Sequence, residues 1–490
     1  MANELSFKTD SEKKAFDIEH RKIIRHNISK YDMAVSIGLK RFHNYELARK
    51  RTASIRYKSI QKLDNNLIDF ESNFTRRGGK VIWATTAEEA VNEILKIVKR
   101  QYIEVVVKSK SMATEEIEIG EILMKNGIET VETDLGEFLV HLAGEKPYHI
   151  ISPVMHKSKT DIAALLAEKY GLSPGSSAEE IMLFVRNLLR EKFIKAKVGI
   201  TGANFLISDI GGIALTENEG NAVLSFSLPQ IHIVVAGIEK MIGSISDLDT
   251  LWPVLAFNGT GQQLTAYNSI VTGPRQPGET DGPQEMYVIL LDNNRTNVLE
   301  RPEQRKALMC IKCGACLNAC PVYKTIGGHT YGSVYSGPIG AVITPLMKGF
   351  DEYRHLSYAS TLCGKCTEVC PVTIPLHKLL LYNRKESVVN GFASRSEKRN
   401  MKNYTRIMLS RKWMETSNRG IFRVIKNAII NNRLGKEWGN RRELPVIAPK
   451  SFNRLWKEKI SEEERQRKAA MAAELQVKKK DTETNAPKGD

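Results

Sequence analysis

The residues whose chemistry is plainest are cysteines, and they are confined. All seven lie between Cys310 and Cys370, with none in the first 309 residues or the last 120. Core cysteines scatter along a chain, whereas a cofactor site gathers its ligands. The first group, Cys310-Ile311-Lys312-Cys313-Gly314-Ala315-Cys316-Leu317-Asn318-Ala319-Cys320-Pro321, has the spacing C-x2-C-x2-C-x3-C-P. Three thiolates from one tight loop can hold three corners of an iron–sulfur cubane, and the fourth, set off by the next turn, serves a different cluster. The second group, Cys363-Gly364-Lys365-Cys366-Thr367-Glu368-Val369-Cys370-Pro371, lacks the first cysteine, and Ser360 occupies that aligned position. Crossed ligation then gives one cluster Cys310, Cys313, Cys316 and Cys370, and the other Cys363, Cys366 and Cys320. The expectation is two clusters of the [4Fe-4S] type. The second is one cysteine short: Ser360, a histidine such as His329, solvent, or a three-iron [3Fe-4S] cluster would each account for that.

Zinc fits the pattern poorly, because a third cysteine so close in one loop is surplus to a tetrahedron. Neither C-x2-C pair opens a helix after a strand, as a thioredoxin-like redox pair would. Two clusters in one small domain make a short electron wire whose potentials depend on burial, charge and hydrogen bonds. No G-x-G-x-x-G follows a strand and opens a helix, so no flavin or nicotinamide site is legible. Electrons must enter and leave through partners or an unrecognised pocket.

The elements that position these loops read as α/β. Residues 1–70 look helical and polar, with Met33, Ile37, Leu39 and Phe42 at helical spacing, and Arg76-Arg77-Gly78-Gly79 reads as a breaker. Short apolar runs then alternate with amphipathic stretches: 81–84 before a helix carrying Val91, Ile94, Leu95 and Val98, 104–109 before a helix ending at Asn126-Gly127, then strands at 130–133 and 149–154 with helices after them. Strands separated by helices imply a largely parallel sheet. After a helix near 178–194 the chain becomes glycine-punctuated, with a hairpin expected to turn at Asn218–Asn221. A strand from Ile231, a helix over 245–258 and a strand at 286–293 close the domain. The resulting division is a helical segment at 1–72, an α/β domain at 73–295, a two-cluster ferredoxin-type domain at 296–385 and a basic helical segment with a frayed tail at 386–490.

Charge follows this division. The chain carries +16 overall, but residues 381–460 hold 20 Lys and Arg against 6 Glu, a local +14. The body before that segment is nearly neutral. An odd cysteine count argues against a secreted disulfide scaffold. The start lacks the features of an export signal, and the longest apolar run, at 233–238, is far too short to span a bilayer. A soluble protein of a reducing cytoplasm is expected.

The segments at 310–323, 331–345 (YGSVYSGPIGAVITP) and 362–377, behind an α/β domain containing GANFLISDIGGIALTENEGN, resemble the lactate utilization protein B family over nearly the whole chain. The missing first cysteine of the second motif is shared with that family. The resemblance implies an iron–sulfur subunit without activity of its own, working in the cytoplasm with a cysteine-rich heterodisulfide-reductase-like subunit and a smaller α/β subunit to oxidise L-lactate to pyruvate. It also implies the fold of the ribose-phosphate isomerase, glucosamine-phosphate deaminase and coenzyme A transferase superfamily for the α/β domain.

In related folds a loop carboxylate serves as nucleophile or base, which makes Glu217 and Glu219 the acidic candidates for catalysis; a polar turn is the plainer reading. A catalytic transferase-like or isomerase-like α/β domain, with structural or sensing clusters, is therefore the competing reading. His232 reads as a buried strand histidine. Gly199, Gly202, Gly211 and Gly212 could cradle an anion but match no fingerprint. Tyr331, Tyr335 and Pro338 are expected to pack over the clusters. In the basic segment Trp413, Trp438 and Trp456 alternate with Lys and Arg, and 420–435 has one apolar helical face around Ile421, Val424, Ile425, Ala428 and Ile429. A solvated or partner-facing surface is favoured there, over a peripheral membrane contact linked to a quinone acceptor and over nucleic acid.

Overall fold

Alternating apolar residues along β7 (Ile231–Gly237) divide between two cores, and this division organises the fold. Ile231, Ile233 and Val235 face one cluster of buried side chains; Val234 and Ala236 face another. Both faces of the strand are covered, as a parallel sheet requires. The computed structural model describes residues 2–100, 102–411 and 450–484. Residues 1–392 form one compact unit and 393–490 a second.

In the first unit six strands pair in parallel in the order β1-β10-β7-β4-β2-β3: β1 (Lys80–Ala84), β2 (Val105–Lys108), β3 (Glu129–Glu132), β4 (Val198–Thr201), β7 and β10 (Glu285–Leu291). A smaller sheet orders β8 (Met241–Ile242), β5 (Phe205–Ile207), β6 (Gly212–Glu217) and β9 (Tyr267–Val271) as β8-β5-β6-β9. The α/β expectation is borne out.

Four N-terminal helices precede the sheets: α1 (Ala2–Phe16), α2 (Ile18–Leu39), α3 (Tyr45–Gln61) and α4 (Leu63–Arg76). Helix α4 lays Leu63, Leu67, Phe70 and Phe74 on the sheet at i, i+4, i+7 and i+11, the spacing of one helical face. On the opposite face α5 (Ala87–Lys99), capped by Thr86, buries Ala90, Ile94 and Val98. In α2 the buried side chains are His20, Ile24 and Ile28, whereas Met33 and Ile37 are exposed; of the expected apolar positions Leu39 is half-buried and Phe42, past the end of the helix, packs against a core.

Three local expectations are corrected. The helix expected before Asn126-Gly127 is broken in two, α6 (Met112–Glu116) and α7 (Ile119–Lys125), at Glu118, whose φ is +53°. The run at 149–154 is not a strand. Its backbone N–H groups at Ile151 and Ser152 donate to His149 Nδ1, and Pro153 has no N–H to give a ladder. Residues 218–221 do not turn a hairpin: β6 runs into α11 (Asn221–Ser227) through Gly220 at φ +79°, and the partners of β6 are β5 and β9.

Helices α8 (Leu135–Leu142), α9 (Lys159–Tyr170) and α10 (Ala178–Lys195) pack beside β2 and β3, with Ser158 and Ser177 forming capping boxes at α9 and α10. Helix α12 (Leu248–Thr260) shares the largest core with α2 and with the region that follows residue 295. That region consists of short helices around the cysteine loops, closed by Gly337–Lys348 and Leu376–Val389.

The second unit contains helices at Arg395–Leu409 and Phe452–Thr484 among its described residues. Trp456 lies on the latter and is about half exposed. Trp413, Trp438 and the 420–435 stretch lie outside the described residues. Among the described residues no helix is long and apolar enough to cross a membrane.

Candidate functional site

The two cysteine loops share one backbone shape. In the first, Lys312 (φ +60°) precedes Cys313 and Gly314 (φ +74°) follows it; in the second, Leu362 (φ +53°) precedes Cys363 and Gly364 (φ +81°) follows. Left-handed residues on both sides curl each loop so that its side chains and N–H groups turn inward. The Lys312 N–H donates to Cys310 Sγ at 3.4 Å, and the Leu362 N–H donates to Ser360 Oγ at 3.1 Å. Ser360 therefore stands in the second loop as Cys310 stands in the first.

The thiols fall into two sets. Cys310, Cys313, Cys316 and Cys370 line one small cavity, walled by Ile150, Ile339, Val372, Ile374 and Leu376. Cys370, 54 residues beyond Cys316 in sequence, completes a set begun in the other loop. Burial pushes the Cys370 thiol up to about 11 and those of Cys313 and Cys316 higher still, with Cys310 adding to all three. Cys320, Cys363 and Cys366 form the second set, each of Cys320 and Cys366 held up by burial and then by its thiol neighbours. Cys363 is exposed, and N–H donation from Lys365 lowers its thiol. Buried thiols resist ionisation unless a cation takes the charge, and coordination by metal deprotonates a thiol outright. Backbone N–H groups of Tyr323 and Ile374 point at Cys320 and Cys370 Sγ, at 3.5 and 3.4 Å, as donors to sulfur do around iron–sulfur clusters. This donor set fits iron–sulfur clusters.

Arg56 ties the first loop to the α/β sheets. Its buried guanidinium donates to the carbonyls of Leu308 (3.1 Å) and Met309 (3.2 Å), just ahead of Cys310, and to those of Met241 (2.8 Å) and Glu239. Burial lowers its pKa to about 10, with Glu239 and Cys310 opposing that fall. Arg49, on the same helix α3, donates to the carbonyls of Glu368 and Cys370, both at 2.9 Å. Arg295 is bidentate to Glu116 and also pairs with Glu239, and Tyr335 donates to Glu116 at 2.6 Å.

Between this ion network and the end of β6 lies a cavity of about 390 Å³. Ile311 and Lys312 from the first cysteine loop form one wall. Burial, with Lys312 adding to it and Glu239 opposing, lowers Lys240 in this cavity to about 8.

The remaining candidates are placed as follows. Glu217 accepts from the N–H groups of Ala222 (2.7 Å) and Val223 (2.8 Å), so it caps α11, and burial raises its pKa. Glu219 is exposed at the cavity rim. His232 is fully buried against Thr201 Oγ1 at 2.7 Å and held down to about 3, the core histidine expected. His329 is engaged away from the thiols, on the Lys146 carbonyl at 2.7 Å and edge-on to Tyr148. Gly199 admits Ser225 O and Gly211 admits the backbone of α4, closer than any Cβ would allow, so both serve packing; Gly212 is likewise tight against Ile210. Gly202 lines the cavity. Tyr331 is buried near Cys316 and Cys320, and Pro338 is buried as well, but Tyr335 turns to Glu116 and the cavity.

Residues 67–291 match the LUD domain and residues 306–374 the 4Fe-4S dicluster domain. Lactate utilization protein B of Bacillus cytotoxicus is 42% identical over 422 residues, covering 85% of this chain and 89% of its own. Its namesakes in Bacillus thuringiensis and Bacillus cereus are 41% identical over the same shares. The chain belongs to the lactate utilization protein B family. A crystal structure of a DUF162 family protein from Deinococcus radiodurans, 16% identical, covers 47% of this chain and 98% of its own with a TM-score of 0.26. For this family member the cysteines were legible from spacing, but Arg56, Glu116, Glu239, Lys240 and Arg295 were not. Arg56 sits in a run of basic residues, and Lys240 ends a single 3-10 turn after β7; nothing in the sequence sets either apart.

Proposed function

We propose that the chain is the iron–sulfur electron-transfer subunit of a cytoplasmic complex that oxidises L-lactate to pyruvate. The observation that carries this reading is the interleaving of the two thiol sets, one enclosed beside the α/β domain and one opening at Cys363. Cys310, Cys313, Cys316 and Cys370 would hold the first cluster; Cys320, Cys363 and Cys366 would hold the second, with Ser360, the counterpart of Cys310 in its loop, as the candidate for the remaining iron. Bound there, the clusters supply one-electron acceptor and donor chemistry. The chain's own residues exclude water from the first set through Ile339, Val372 and Ile374, donate N–H groups to sulfur, and fix the first loop through Arg56. The second set, open to solvent at Cys363, is the end at which a partner would exchange electrons. A cysteine-rich heterodisulfide-reductase-like subunit and a smaller α/β subunit are the proposed partners, and the basic C-terminal segment is a surface for one of them or for a membrane carrying a quinone acceptor.

The competing reading of a catalytic α/β domain is weakened at Glu217, whose carboxylate is committed to the α11 N-terminus. Anaerobic iron and sulfide quantification with EPR tests the cluster assignment: about eight irons per chain are expected for two four-iron clusters. Stoichiometric zinc without iron would defeat it. Reduction of the clusters by L-lactate only when both proposed partners are present tests the assignment to the complex.

A further inference from the structure

We propose that the cavity between the α/β domain and the first cysteine loop is a binding site for a small hydroxycarboxylate, with its carboxylate held between Lys240 and Lys312. The cavity, about 390 Å³, is within the size range of small-molecule sites, and its two ends differ in chemistry. At the end formed by the cysteine loop stand Lys240 and Lys312. The Lys240 ammonium has no hydrogen bond or ion pair among the described residues, and Lys312 Nζ rests over the Tyr335 ring at 4.0 Å, also without an ion pair there; Glu239 acts on both only at longer range. The nearby Arg295 does not compete for an anion, because Glu116 and Glu239 already neutralise it.

At the opposite end Asp134 is taken by the Glu137 N–H at 3.0 Å and by Lys110 at 3.6 Å, and the Asn218 amide exchanges hydrogen bonds with Gln262 at 3.0 Å, while Lys110 is also engaged by Ile151 O at 2.9 Å. The acceptor left there is exposed Glu219, which takes the Asn218 N–H on Oε2 at 3.1 Å and keeps Oε1 for a ligand. Two ammonium groups without an ion pair at one end and the Glu219 carboxylate at the other select a ligand that is anionic at one terminus and offers an O–H beyond it. A simple inorganic anion would leave the acceptor end unused. The site abuts Ile311 and Lys312, inside the loop that begins at Cys310, so its occupant would lie beside the first thiol set.

The choice of L-lactate as probe rests on the reading of the chain as part of a lactate-oxidising complex; the class of ligand rests on the cavity. Calorimetric titration of the anaerobically purified, cluster-loaded chain with L-lactate, glycolate, propionate and inorganic phosphate tests it. Binding of L-lactate or glycolate is expected, at least tenfold tighter than propionate, which lacks the hydroxyl, and than phosphate. Lys240→Met is expected to weaken it at least tenfold while iron content stays unchanged, and Lys312→Met to do the same if its loop still holds iron. Binding of L-lactate should also perturb the EPR spectrum of the first cluster, a readout independent of turnover. Equal or tighter binding of phosphate would overturn the proposal, as would no binding of either hydroxy acid. Unchanged affinity in Lys240→Met accompanied by a lowered cluster potential would make Lys240 a counter-charge for the cluster and overturn it too. If lactate fails to bind while both clusters still reduce and reoxidise normally, the ligand site falls and the electron-transfer role stands.

Discussion

Replacing Arg56 by methionine should separate the first cluster from its scaffold. The guanidinium satisfies four buried carbonyls, those of Glu239, Met241, Leu308 and Met309. Methionine fills much the same volume but donates nothing. A buried acceptor stripped of its partner costs about 1–3 kcal/mol, so four would sum to about 4–12 kcal/mol. Release of a desolvated charge offsets part of that, leaving a net loss of about 3–5 kcal/mol, the range seen when a buried charged partner is removed. With roughly 2.1 cal/mol/K of unfolding entropy per residue, the unit of residues 1–392 would lose about 4–6 °C in apparent Tm. Because two of the carbonyls lie immediately before Cys310, iron loss should be selective: the first cluster's EPR signal should fall while the second persists. Arg56→Lys, which can reach only one or two of the carbonyls, should lie between. Anaerobic calorimetry with iron quantification on the same samples reads both effects. Wild-type Tm together with wild-type iron in Arg56→Met would refute the clamp.

Other outcomes follow from the same geometry. Cys370→Ser should remove the first cluster's signal and Cys320→Ser the second's, although each residue lies in the other cluster's loop; EPR of the two variants decides this, and loss confined to the mutated loop's own cluster would count against crossed ligation. Glu217→Gln weakens a helix cap and should cost about 1 kcal/mol in chemical denaturation with cluster content intact; abolished turnover in the reconstituted complex at normal cluster reduction would instead restore a catalytic role. Burial holds His20, His149 and His156 down to about 4 and His232 to about 3. They stay neutral in the folded chain while the unfolded chain takes up protons below about 6.5. Their contribution is therefore complete above that pH and drains away as pH falls towards 4, at up to about 1.4 kcal/mol per pH unit for each. Glu132, raised by burial to about 7, acts in the opposite sense between 7 and 4.5. Denaturant midpoints across this range should fall with pH, and His232→Gln should flatten the slope.

What the sequence disclosed and what it hid differ by the range of the interactions. Ligand spacing within a cysteine loop is a property of eight or eleven consecutive residues, so the two motifs could be read directly and crossed ligation expected from them. Strands such as β2 and β7 and helix α5 carry their own periodicity and were equally legible. Glu217–Asn221 misled because a capped helix start and a tight hairpin use the same residues, and only the pairing of β6 with β5 and β9 separates them. The strand expected at 149–154 failed for a similar reason: its β-branched residues fit a strand, but a histidine side chain takes the N–H groups the ladder would need. Arg56 was invisible because its meaning lies in carbonyls 183 to 253 residues away.

Arg49 and Arg56 also set an order of events in the cell. Arg49 is translated 321 residues before Cys370, whose carbonyl it binds. At roughly 5–20 residues per second, that gap leaves helix α3 waiting about 16–64 s for its counterpart. The site for the first cluster cannot exist until residue 370 has left the ribosome, because its fourth thiol is among the last parts of the folded unit to be made. Iron and sulfide must then be delivered to a chain at least three-quarters synthesised, and a nascent chain stalled before residue 370 would present Cys310, Cys313 and Cys316 as an open, three-thiol trap for whatever metal arrives first.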